Sequence, residues 1–389
     1  GTFKISLSQI GMKVLHIGKF YPPFCGGIEK VNYDLVENLN KIENCNVDEL
    51  CFQHLAGNET DDLTPAYRLF RVPIRTIFHS TPISMRYFSV YRKIRNHYDI
   101  IHLHLPNPWA ALAPLLFRTR AKIVLHWHSD IVKQKSLMIF YRPFQTMLLR
   151  RASRIIVTSR NYFDSSSDLQ PYVKKVRVVP IGLDTEHLMF LPGIDQTIKT
   201  QYPGKKIVLS IGRLTYYKGF RYLIEAACKL RDDTIVLIGG CGELQDELER
   251  LIKQKGVADR VKLIGRIPQE QIGAYFAAAD LFCLPSIVRT EAFGVVLAEA
   301  LAMGVPIVAC DILGSGVNWV NKHGDTGLNV PVCDSQALSA AINKILDSPE
   351  LLTRFKMNCK KRYESFFSLK KMVYKVYEIY DEILNSKLG

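Results

Sequence analysis

Short apolar runs alternate with amphipathic segments along almost the whole chain, and glycine-rich turns separate many of these pairs. Residues 14–17, 207–211 and 235–238 are typical of the runs, and apolar residues at helical spacing follow in the next segment. Buried parallel strands have continuous apolar sequences because helices cover both faces of their sheet. The alternation therefore predicts an α/β protein with doubly wound parallel sheets.

The length of 389 residues predicts two domains rather than one. Residues 12–184 form the first predicted domain and residues 205–367 the second. Residues 185–204 lack clear periodicity and end in Tyr202-Pro203-Gly204, so we interpret them as the linker. Met12 begins a sequence typical of a natural start, and no signal peptide is evident, so residues 1–11 are left out of the fold prediction.

Charge and cysteine usage limit the class of protein. The nine cysteines are scattered and contain no C-x-x-C pair, which indicates reduced thiols in a cytoplasmic protein. The net charge of +14 indicates an anionic partner, namely nucleic acid, a membrane surface or a phosphorylated ligand. The apolar stretch 292–310 is long enough to cross a membrane, but Glu299, Gly304 and Pro306 favour a buried helix and strand.

The stretch 286–304 holds two glutamates, Glu291 and Glu299, eight residues apart around Phe293-Gly294. We place Glu291 in a loop and Glu299 inside the following helix, about 12 Å farther along its axis. The free N–H groups at the start of this helix favour an anion. A sugar, a diphosphate and a ribose would fit along this line. The alternative is that acidic residues near a helix start only stabilise the helix dipole.

Two further turns follow predicted strands and suit phosphate binding. Gly212-Arg213 and Lys218-Gly219 follow residues 207–211, and a guanidinium and an ammonium at a strand end suit a diphosphate. Gly26-Gly27 follows residues 14–17 and precedes a helix, which is the layout of a first phosphate-binding turn, although a plain tight turn is an equal alternative. The G-x-G-x-x-G nicotinamide fingerprint is absent.

Two H-x-H pairs lie on predicted strands: His102 with His104, and His126 with His128. Residues i and i+2 share a face of a strand, so each pair could bind a metal. Carboxyl ends of parallel strands face the ligand crevice, and we favour histidines that line a polar substrate cleft. The sequence contains no D-x-D motif, and we predict no metal requirement.

The basic, aromatic segment 85–95 and the basic segment 142–154 both lie in the first predicted domain. Segment 85–95 would suit a membrane surface or an anionic acceptor. We favour the alternative that it is a surface helix whose apolar stripe lies in the core.

Together, these motifs resemble those of the retaining glycosyltransferases of family 4, which have the GT-B fold. The resemblance rests on Gly26-Gly27, His128, the Gly212-Arg213 to Lys218-Gly219 turn and the E-x7-E pair, and it extends from Met12 to the last helix. It implies two doubly wound, Rossmann-like α/β domains that face each other across a cleft. It also implies that the last helix, 368–389, packs back on the first domain.

The resemblance further implies a role for each matching position. Arg213 and Lys218 would bind the donor diphosphate, Glu291 the donor sugar, and Glu299 the ribose, while His128 would lie beside the reacting sugar. His128, Glu291, Arg213 and Lys218 are thus the implied catalytic residues. The implied donor-binding residues are Gly26, Gly27, Gly212, Arg213, Lys218, Arg266, Ile267, Glu291, Ala292, Phe293, Gly294, Val295, Val296 and Glu299. Arg289 departs from the small polar residues that the family often has there, and its role stays open.

The expected activity is transfer of a hexose from a nucleotide-sugar, GDP-mannose rather than a UDP-sugar, with retention of configuration. No cofactor is expected. The acceptor would be a saccharide on a polyprenyl diphosphate in bacterial surface-polysaccharide (O-antigen) synthesis, and the protein would lie at the inner face of the cytoplasmic membrane without a nucleic-acid partner. Alternatives are a non-catalytic nucleotide-sugar-binding protein, or a GT-B epimerase or phosphorylase, of which a phosphorylase would need a pyridoxal-phosphate lysine.

Overall fold

The computed structural model describes residues 11–23, 26–54, 60–78, 81–129 and 135–385. The chain divides into two compact units. The second unit consists of Ser159–Ser166 and Leu183–Ser368, and the first contains the rest of the described chain. Each unit has its own sheet, so the prediction of two α/β Rossmann-like domains is confirmed.

Strands form where the apolar runs were predicted, and those at residues 100–105, 234–239, 281–284 and 307–310 are buried at every position. In the described residues they are β1 (Met12–Ile17), β2 (Cys45–Gln53), β3 (Thr60–Leu63), β4 (Arg68–Pro73), β5 (Thr76–Phe78), β6 (Thr81–Ile83), β7 (Ile100–Leu105), β8 (Lys122–Trp127), β9 (Arg154–Val157), β10 (Val176–Val178), β11 (Lys206–Ile211), β12 (Thr234–Gly239), β13 (Val261–Gly265), β14 (Leu281–Leu284), β15 (Ile307–Cys310) and β16 (Gly327–Val330).

Helices follow the strands and bury one apolar face. They are α1 (Gly27–Leu39), α2 (Met85–Ile94), α3 (Pro108–Leu116), α4 (Lys135–Arg151), α5 (Arg160–Asp164), α6 (Ile194–Thr200), α7 (Phe220–Ala227), α8 (Gln245–Lys255), α9 (Ile272–Ala278), α10 (Val295–Ala302), α11 (Val317–Val320), α12 (Ser335–Leu346), α13 (Pro349–Arg362) and α14 (Leu369–Asn385). None of the helices in the described ranges has both the length and the apolar character that a membrane crossing requires.

The sheet of the first unit has the strand order β10-β9-β8-β7-β1-β2-β4-β3. Its neighbouring strands are parallel except β3 and β4, and β5 pairs with β6 separately. The chain begins at β1, builds the sheet in one direction and later continues from β7 in the other. The strand order therefore reverses between β1 and β7, which is where open α/β sheets bind ligands.

The second sheet is parallel throughout and has the order β13-β12-β11-β14-β15-β16. Here the reversal falls between β11 and β14. The loop after β11 contains Arg213 and Lys218, and the loop after β14 contains Glu291. The topology of this unit thus brings the two predicted donor-binding loops to the same edge of one sheet.

The interval 185–204 differs from the predicted linker. It contains a 3-10 turn, Glu186–Leu188, and helix α6, and it belongs to the second unit. Leu188 and Ile198 are buried, and a Cβ added at Gly273 would lie 1.8 Å from the carbonyl oxygen of Leu188. The absence of a side chain at Gly273 allows this close packing, which hydrophobic periodicity alone does not reveal.

One further segment differs from the predicted domains: Ser159–Ser166 lies in the second unit, although the chain on both sides of it lies in the first. Helix α14 belongs to the first unit, as expected, and contacts α1 there. Helix α2 buries Tyr87, Phe88 and Tyr91, so the interpretation of segment 85–95 as a surface helix with a buried stripe agrees with the structure.

Candidate functional site

The centre of the candidate site is an ion pair between Lys218 and Glu291. Lys218 Nζ donates a hydrogen bond to Oε2 of Glu291, and the hydroxyl of Ser286 donates to the same oxygen at 3.0 Å. The two charged side chains are only 11% and 12% exposed. Because burial makes an unpaired charge costly, each charge holds the other in place.

The loops that carry these two residues approach each other closely at Gly219. This glycine has φ +66, and a Cβ there would lie 2.1 Å from the carbonyl oxygen of Pro285. The N–H of Ile287 donates to the carbonyl of Tyr217 at 2.9 Å. A residue without a side chain is therefore required where the β11 and β14 loops meet.

The loop around Glu291 is fixed by its own backbone as well. The hydroxyl of Ser315 donates to the carbonyl oxygen of Glu291, and the N–H of Gly316 donates to that of Ala292 at 2.7 Å. Phe293 is buried and packs edge-to-face on Phe367, with ring centroids 5.8 Å apart. Ala292 and Phe293 therefore hold the loop, whereas the carboxylate of Glu291 is the chemical group that the loop presents.

Helix α10 begins directly after this loop. Gly294 is its N-cap and has φ +73, which favours glycine. The N–H groups of Val295 and Val296 belong to the first turn, whose N–H groups lack intrahelical acceptors, and Val295 is exposed. The start of α10, with its partial positive charge, thus follows Glu291 by only four residues.

Glu299, within α10, has a partner that is not predictable from the sequence. Nε2 of His187 lies 2.9 Å from Oε1 of Glu299, and the two side chains are 20% and 18% exposed. His187 lies in the interval that we interpreted as a linker, 112 positions from Glu299. No local pattern connects two residues so far apart in the sequence, so only the folded structure reveals the pair.

Glycines at the ends of β11 and β12 allow their loops to pack together. A Cβ at Gly240 would lie 1.9 Å from the carbonyl oxygen of Gly212, and a Cβ at Gly239 would lie 2.6 Å from Cδ1 of Ile267. Ile267 is buried, whereas its neighbour Arg266 is exposed. Arg213 is also exposed and forms no ion pair with any residue in the described part of the chain. Its guanidinium is available for an anionic ligand.

The structure gives Arg289 a packing role, which the sequence leaves open. Its guanidinium lies over the ring of Tyr162, 4.5 Å from the centroid. It donates to the carbonyl oxygens of Gly314 and Ser165, both at 3.2 Å. These contacts join Ser159–Ser166 to the second unit and explain why this segment leaves the first.

The first unit contains the other predicted site residues. Gly26 is the N-cap of α1 with an extended backbone, and Gly27 is the first residue of that helix. A Cβ at Gly27 would meet no atom within 4 Å, so local packing does not require glycine there. His128 follows β8 directly and is 5% exposed.

Histidines 102, 104 and 126 do not line an open cleft, contrary to the interpretation that we favoured. They are buried and form hydrogen bonds with other rings, because the sheet places their strands side by side. His102 Nε2 lies 3.1 Å from His126 Nδ1, and His104 Nδ1 lies 2.9 Å from His128 Nε2. Burial lowers the pKa of all four rings, that of His128 to about 3, so they are neutral at neutral pH.

Two doubly wound domains, each with its candidate ligand loops at a reversal of strand order, define the GT-B fold. The chain shares this fold with sucrose-phosphate synthase from Thermosynechococcus elongatus, with a TM-score of 0.77 and 21% identity over 96% of this chain and 100% of the other. The chain belongs to the family 4 glycosyltransferases: it matches Glycosyltransferase Family 4 over residues 25–187 and Glycosyl transferases group 1 over residues 195–362.

Two curated relatives cover nearly the whole chain. O-antigen chain mannosyltransferase C of Escherichia coli is 33% identical over 97% of this chain and 100% of its own length. D-rhamnosyltransferase WbpZ of Pseudomonas aeruginosa is 30% identical over 92% of each chain. The resemblance predicted from the residues is therefore confirmed at the level of family and fold, and the protein is a glycosyltransferase.

Proposed function

We propose that the protein transfers mannose from GDP-mannose, with retention of anomeric configuration, to a saccharide on a polyprenyl diphosphate during bacterial O-antigen synthesis. The names of the two relatives support the donor sugar. D-rhamnose is 6-deoxymannose, so mannose and D-rhamnose share the configuration of every ring hydroxyl that both possess. A donor site for either sugar must accept an axial 2-hydroxyl.

The observation that carries this proposal is the buried pair of Lys218 and Glu291 at the reversal of the second sheet. In the proposed complex, Glu291 accepts hydrogen bonds from hydroxyls of the donor sugar. Lys218 and the exposed Arg213 neutralise the diphosphate. Positive groups that are already in place where negative charge develops lower the barrier without a metal ion.

The start of α10, Glu299 and the residues after β13 supply the remaining proposed contacts to the donor. Val295 and Val296, at the start of α10, direct N–H groups towards a phosphate. Glu299 accepts hydrogen bonds from the ribose hydroxyls, in place of or together with His187. Arg266 and Ile267, after β13, lie where the base would bind, with Ile267 as an apolar surface and Arg266 as a donor.

The proposed reaction takes place on one face of the donor sugar. The bond from the anomeric carbon to the leaving phosphate breaks, and a bond to the acceptor oxygen forms on the same face. The proton of the acceptor hydroxyl goes to the departing phosphate oxygen, so charges balance without an enzymatic base. Lys218 and Arg213 stabilise the diphosphate that leaves. His128 provides a neutral hydrogen-bonding group beside the sugar.

The proposed acceptor places the first unit at an anionic membrane surface. Exposed apolar side chains lie on its neighbouring helices α3 and α4, where Leu116 is 60%, Phe144 45% and Met147 50% exposed. Arg118 and Arg150 lie close to them in the sequence and are exposed. Apolar side chains beside arginines are the combination that inserts into a bilayer interface with anionic lipids.

Calorimetric titration of the full chain with GDP, UDP and ADP, followed by transfer assays, tests the proposed function. We expect GDP to bind most tightly and GDP-mannose to support transfer to a synthetic lipid-diphosphate saccharide, with an axial product linkage by NMR. Tight UDP binding without GDP binding would replace the donor by a UDP-sugar. Nucleotide binding without transfer or donor hydrolysis would favour a non-catalytic protein. Inversion of configuration would exclude the one-face mechanism.

A further inference from the structure

Five histidines of the first unit lie on one face of its sheet, across its three central strands. His16 belongs to β1, His102 and His104 belong to β7, and His126 and His128 lie on or directly after β8. All five are at least nine-tenths buried. In the sheet register, His16 is opposite His102 and His104 is opposite His126. We call these five rings, with Tyr380 of α14, the histidine array.

Hydrogen bonds connect the array into one unbranched chain. From one end, His126 Nδ1 lies 3.1 Å from His102 Nε2, and His102 Nδ1 lies 2.5 Å from the hydroxyl of Tyr380. The same hydroxyl lies 2.8 Å from His16 Nε2. His16 Nδ1 lies 3.2 Å from His104 Nε2, and His104 Nδ1 lies 2.9 Å from His128 Nε2.

The two ends of this chain lack partners. Nε2 of His126 and Nδ1 of His128 are buried without a hydrogen-bond partner among the described residues. Every other ring nitrogen of the array faces a neighbour. A buried polar atom that is left unpaired in the free protein is costly, which indicates that a ligand supplies the missing partner at a functional end.

The connectivity links the tautomers of all five rings. A neutral imidazole has one N–H donor and one acceptor nitrogen. If His16 carries its proton on Nδ1, its Nε2 must accept from Tyr380, and Tyr380 must accept from Nδ1 of His102. The same rule then assigns the Nδ1–H form to His126, His104 and His128. The opposite assignment gives the Nε2–H form throughout, so the array has two consistent states.

The orientation of the Asn32 amide selects between the two states. Oδ1 of Asn32 lies 3.0 Å from His16 Nδ1, and the interaction of the same side chain with the Glu49 carboxyl acts against the rise in that carboxyl's pKa, as expected when Nδ2 is the group that faces Glu49. An amide oxygen can only accept a hydrogen bond. Asn32 is itself fully buried. It therefore favours a proton on Nδ1 of His16, which donates both to Asn32 and to Nε2 of His104.

We propose that Asn32 fixes all five histidines in the Nδ1–H tautomer, so that His128 presents an N–H donor at its unpaired Nδ1. The natural partner is a neutral hydroxyl oxygen, as in a sugar. That this sugar is the transferred donor rests on the proposed function. His128 would then touch the substrate, while His104 and Asn32 are positioning residues that act through it.

A metal centre is the alternative use of such a cluster, since ligand atoms of His102, His104 and His126 lie within 4.8 Å of one another. However, the rings of His102 and His104 stack 18° from parallel, and those of His104 and His126 stack 24° from parallel. Nitrogen lone pairs lie in the ring planes, so stacked rings direct them side by side rather than at one point. Binding would also break the hydrogen bonds of the array.

Nitrogen-15 NMR of the histidine-labelled full chain tests the tautomers directly. The chain has ten histidines, and single histidine variants assign the signals. We expect the five array residues all in the Nδ1–H form, which is the minor tautomer of a free histidine side chain. Signals of the Nε2–H form, or a mixture among the five, would overturn the proposal. Stoichiometric zinc in the purified protein, or zinc-induced loss of these signals that a chelator reverses, would also overturn it.

Kinetics of His104→Phe test the effect on the reaction, because phenylalanine keeps a stacked ring but has no nitrogen. We expect kcat to fall about tenfold with little change in GDP affinity, and His128 to leave the Nδ1–H form in the NMR spectrum. The matched control is His97→Gln, at an exposed histidine outside the array. Unchanged kcat with unchanged His128 tautomer would overturn the positioning role.

The two proposals fail in different ways. If the wild-type protein transfers no sugar while its array is uniformly Nδ1–H, the proposed function fails and the tautomer assignment stands. If the protein transfers mannose while the array is mixed, the assignment fails and the proposed function stands. Should His104→Phe not fold, the wild-type spectrum alone decides the tautomers.

Discussion

The ammonium of Lys218 is paired with Oε2 of Glu291, although 73 positions separate them in the chain. The pair exists because β11 and β14 are neighbours at the reversal of the second sheet. Since both side chains are nearly buried, removal of either charge leaves the other with poor solvation. A donor diphosphate near Lys218 would therefore meet a cation that is already positioned and partly desolvated.

Replacement of Lys218 by methionine should lower kcat/KM by about 100-fold or more, because one fixed positive group no longer stabilises the leaving diphosphate. Initial rates with GDP-mannose measure the effect. Lys344→Met is the control, since Lys344 is exposed on α12. A Lys218→Met enzyme with wild-type kinetics would remove Lys218 from the site.

Replacement of Glu291 by alanine should abolish transfer and leave GDP binding nearly intact, because the carboxylate is proposed to contact the sugar rather than the nucleotide. Calorimetry with GDP, in parallel with transfer assays, separates the two effects. Glu350→Gln, at an exposed glutamate of α13, serves as the control. Equal loss of GDP binding and transfer would mean that Glu291 acts mainly by holding Lys218.

Replacement of Glu299 by glutamine should weaken GDP binding by about 10-fold or more, since hydrogen bonds to a charged acceptor are worth ~1.5–3 kcal/mol. His187→Ala should have a smaller effect, about fivefold, as expected for the loss of one ordinary hydrogen bond that orients Glu299. Both dissociation constants come from the same titrations. If His187→Ala tightens GDP binding instead, His187 competes with the ribose for the carboxylate.

The first unit should lose stability steeply as the pH falls below 6.5. Burial lowers the pKa of His16 to about 4 and that of His128 to about 3, and lowers those of His102, His104 and His126 well below their ordinary value. Between these values and pH 6.5 the unfolded chain binds protons that the folded one does not. Stability is thus complete above pH 6.5 and falls on acidification, by about 1.4 kcal/mol per pH unit for each histidine.

Glu49 opposes this trend in part. Its burial raises the pKa of its carboxyl group well above the ordinary value, so its contribution is largest at low pH and is lost as the pH rises. Burial also raises the pKa of Glu29 in the same unit, but two carboxyl groups against five histidines leave the net direction unchanged. Hydrogen exchange by mass spectrometry between pH 7.5 and 5, corrected for intrinsic exchange rates, reports each unit separately. Equal protection of the β1, β7 and β8 peptides at both ends of this range would contradict the prediction.

Replacement of Arg289 by lysine should lower Tm by a few degrees, because an ammonium cannot reproduce both the stacking on Tyr162 and the forked bonds to two loop carbonyls. Transfer should fall with it, since the Glu291 loop carries Arg289. Thermal unfolding measures the first effect. Arg354→Lys is the control, because that exposed arginine lies over the Phe355 ring at 5.4 Å. Loss of transfer at unchanged Tm would instead indicate direct contact with substrate.

Flotation with liposomes should recover the protein with vesicles that contain anionic lipid and not with neutral vesicles, with binding that weakens as salt is added. The Phe144→Ser, Met147→Ser double variant should float less, because two exposed apolar side chains of α4 become polar. Equal recovery with and without anionic lipid would argue against electrostatic attachment of the first unit.

The two-domain α/β fold is predictable from the sequence, because continuous apolar runs indicate parallel strands that are covered on both sides. The proximity of Lys218 and Glu291 is predictable as well, since both follow strands of the same predicted sheet and match the motif of one family. The nucleotide of the donor is not predictable in this way, because GDP-binding and UDP-binding loops can have the same pattern of strands, turns and helices.

The full histidine array is not predictable from local sequence patterns. The i, i+2 spacing correctly placed His102 beside His104, but it could not show that β1 would add His16 or that α14 would insert Tyr380, which is 364 positions from His16. Likewise, His187 lies in an interval without periodicity, and only tertiary packing on α9 brings it to Glu299. Contacts of this kind depend on which strands become neighbours.

The position of Tyr380 limits how this protein can be divided. A chain that ends after Asp184 keeps the whole sheet of the first unit but lacks the phenol between His16 and His102, and it also includes Ser159–Ser166, whose packing partners are in the second unit. Neither half is therefore a self-contained module. Chimeras that exchange halves between relatives to change donor or acceptor should transplant the last helix and the 159–166 segment with their proper unit.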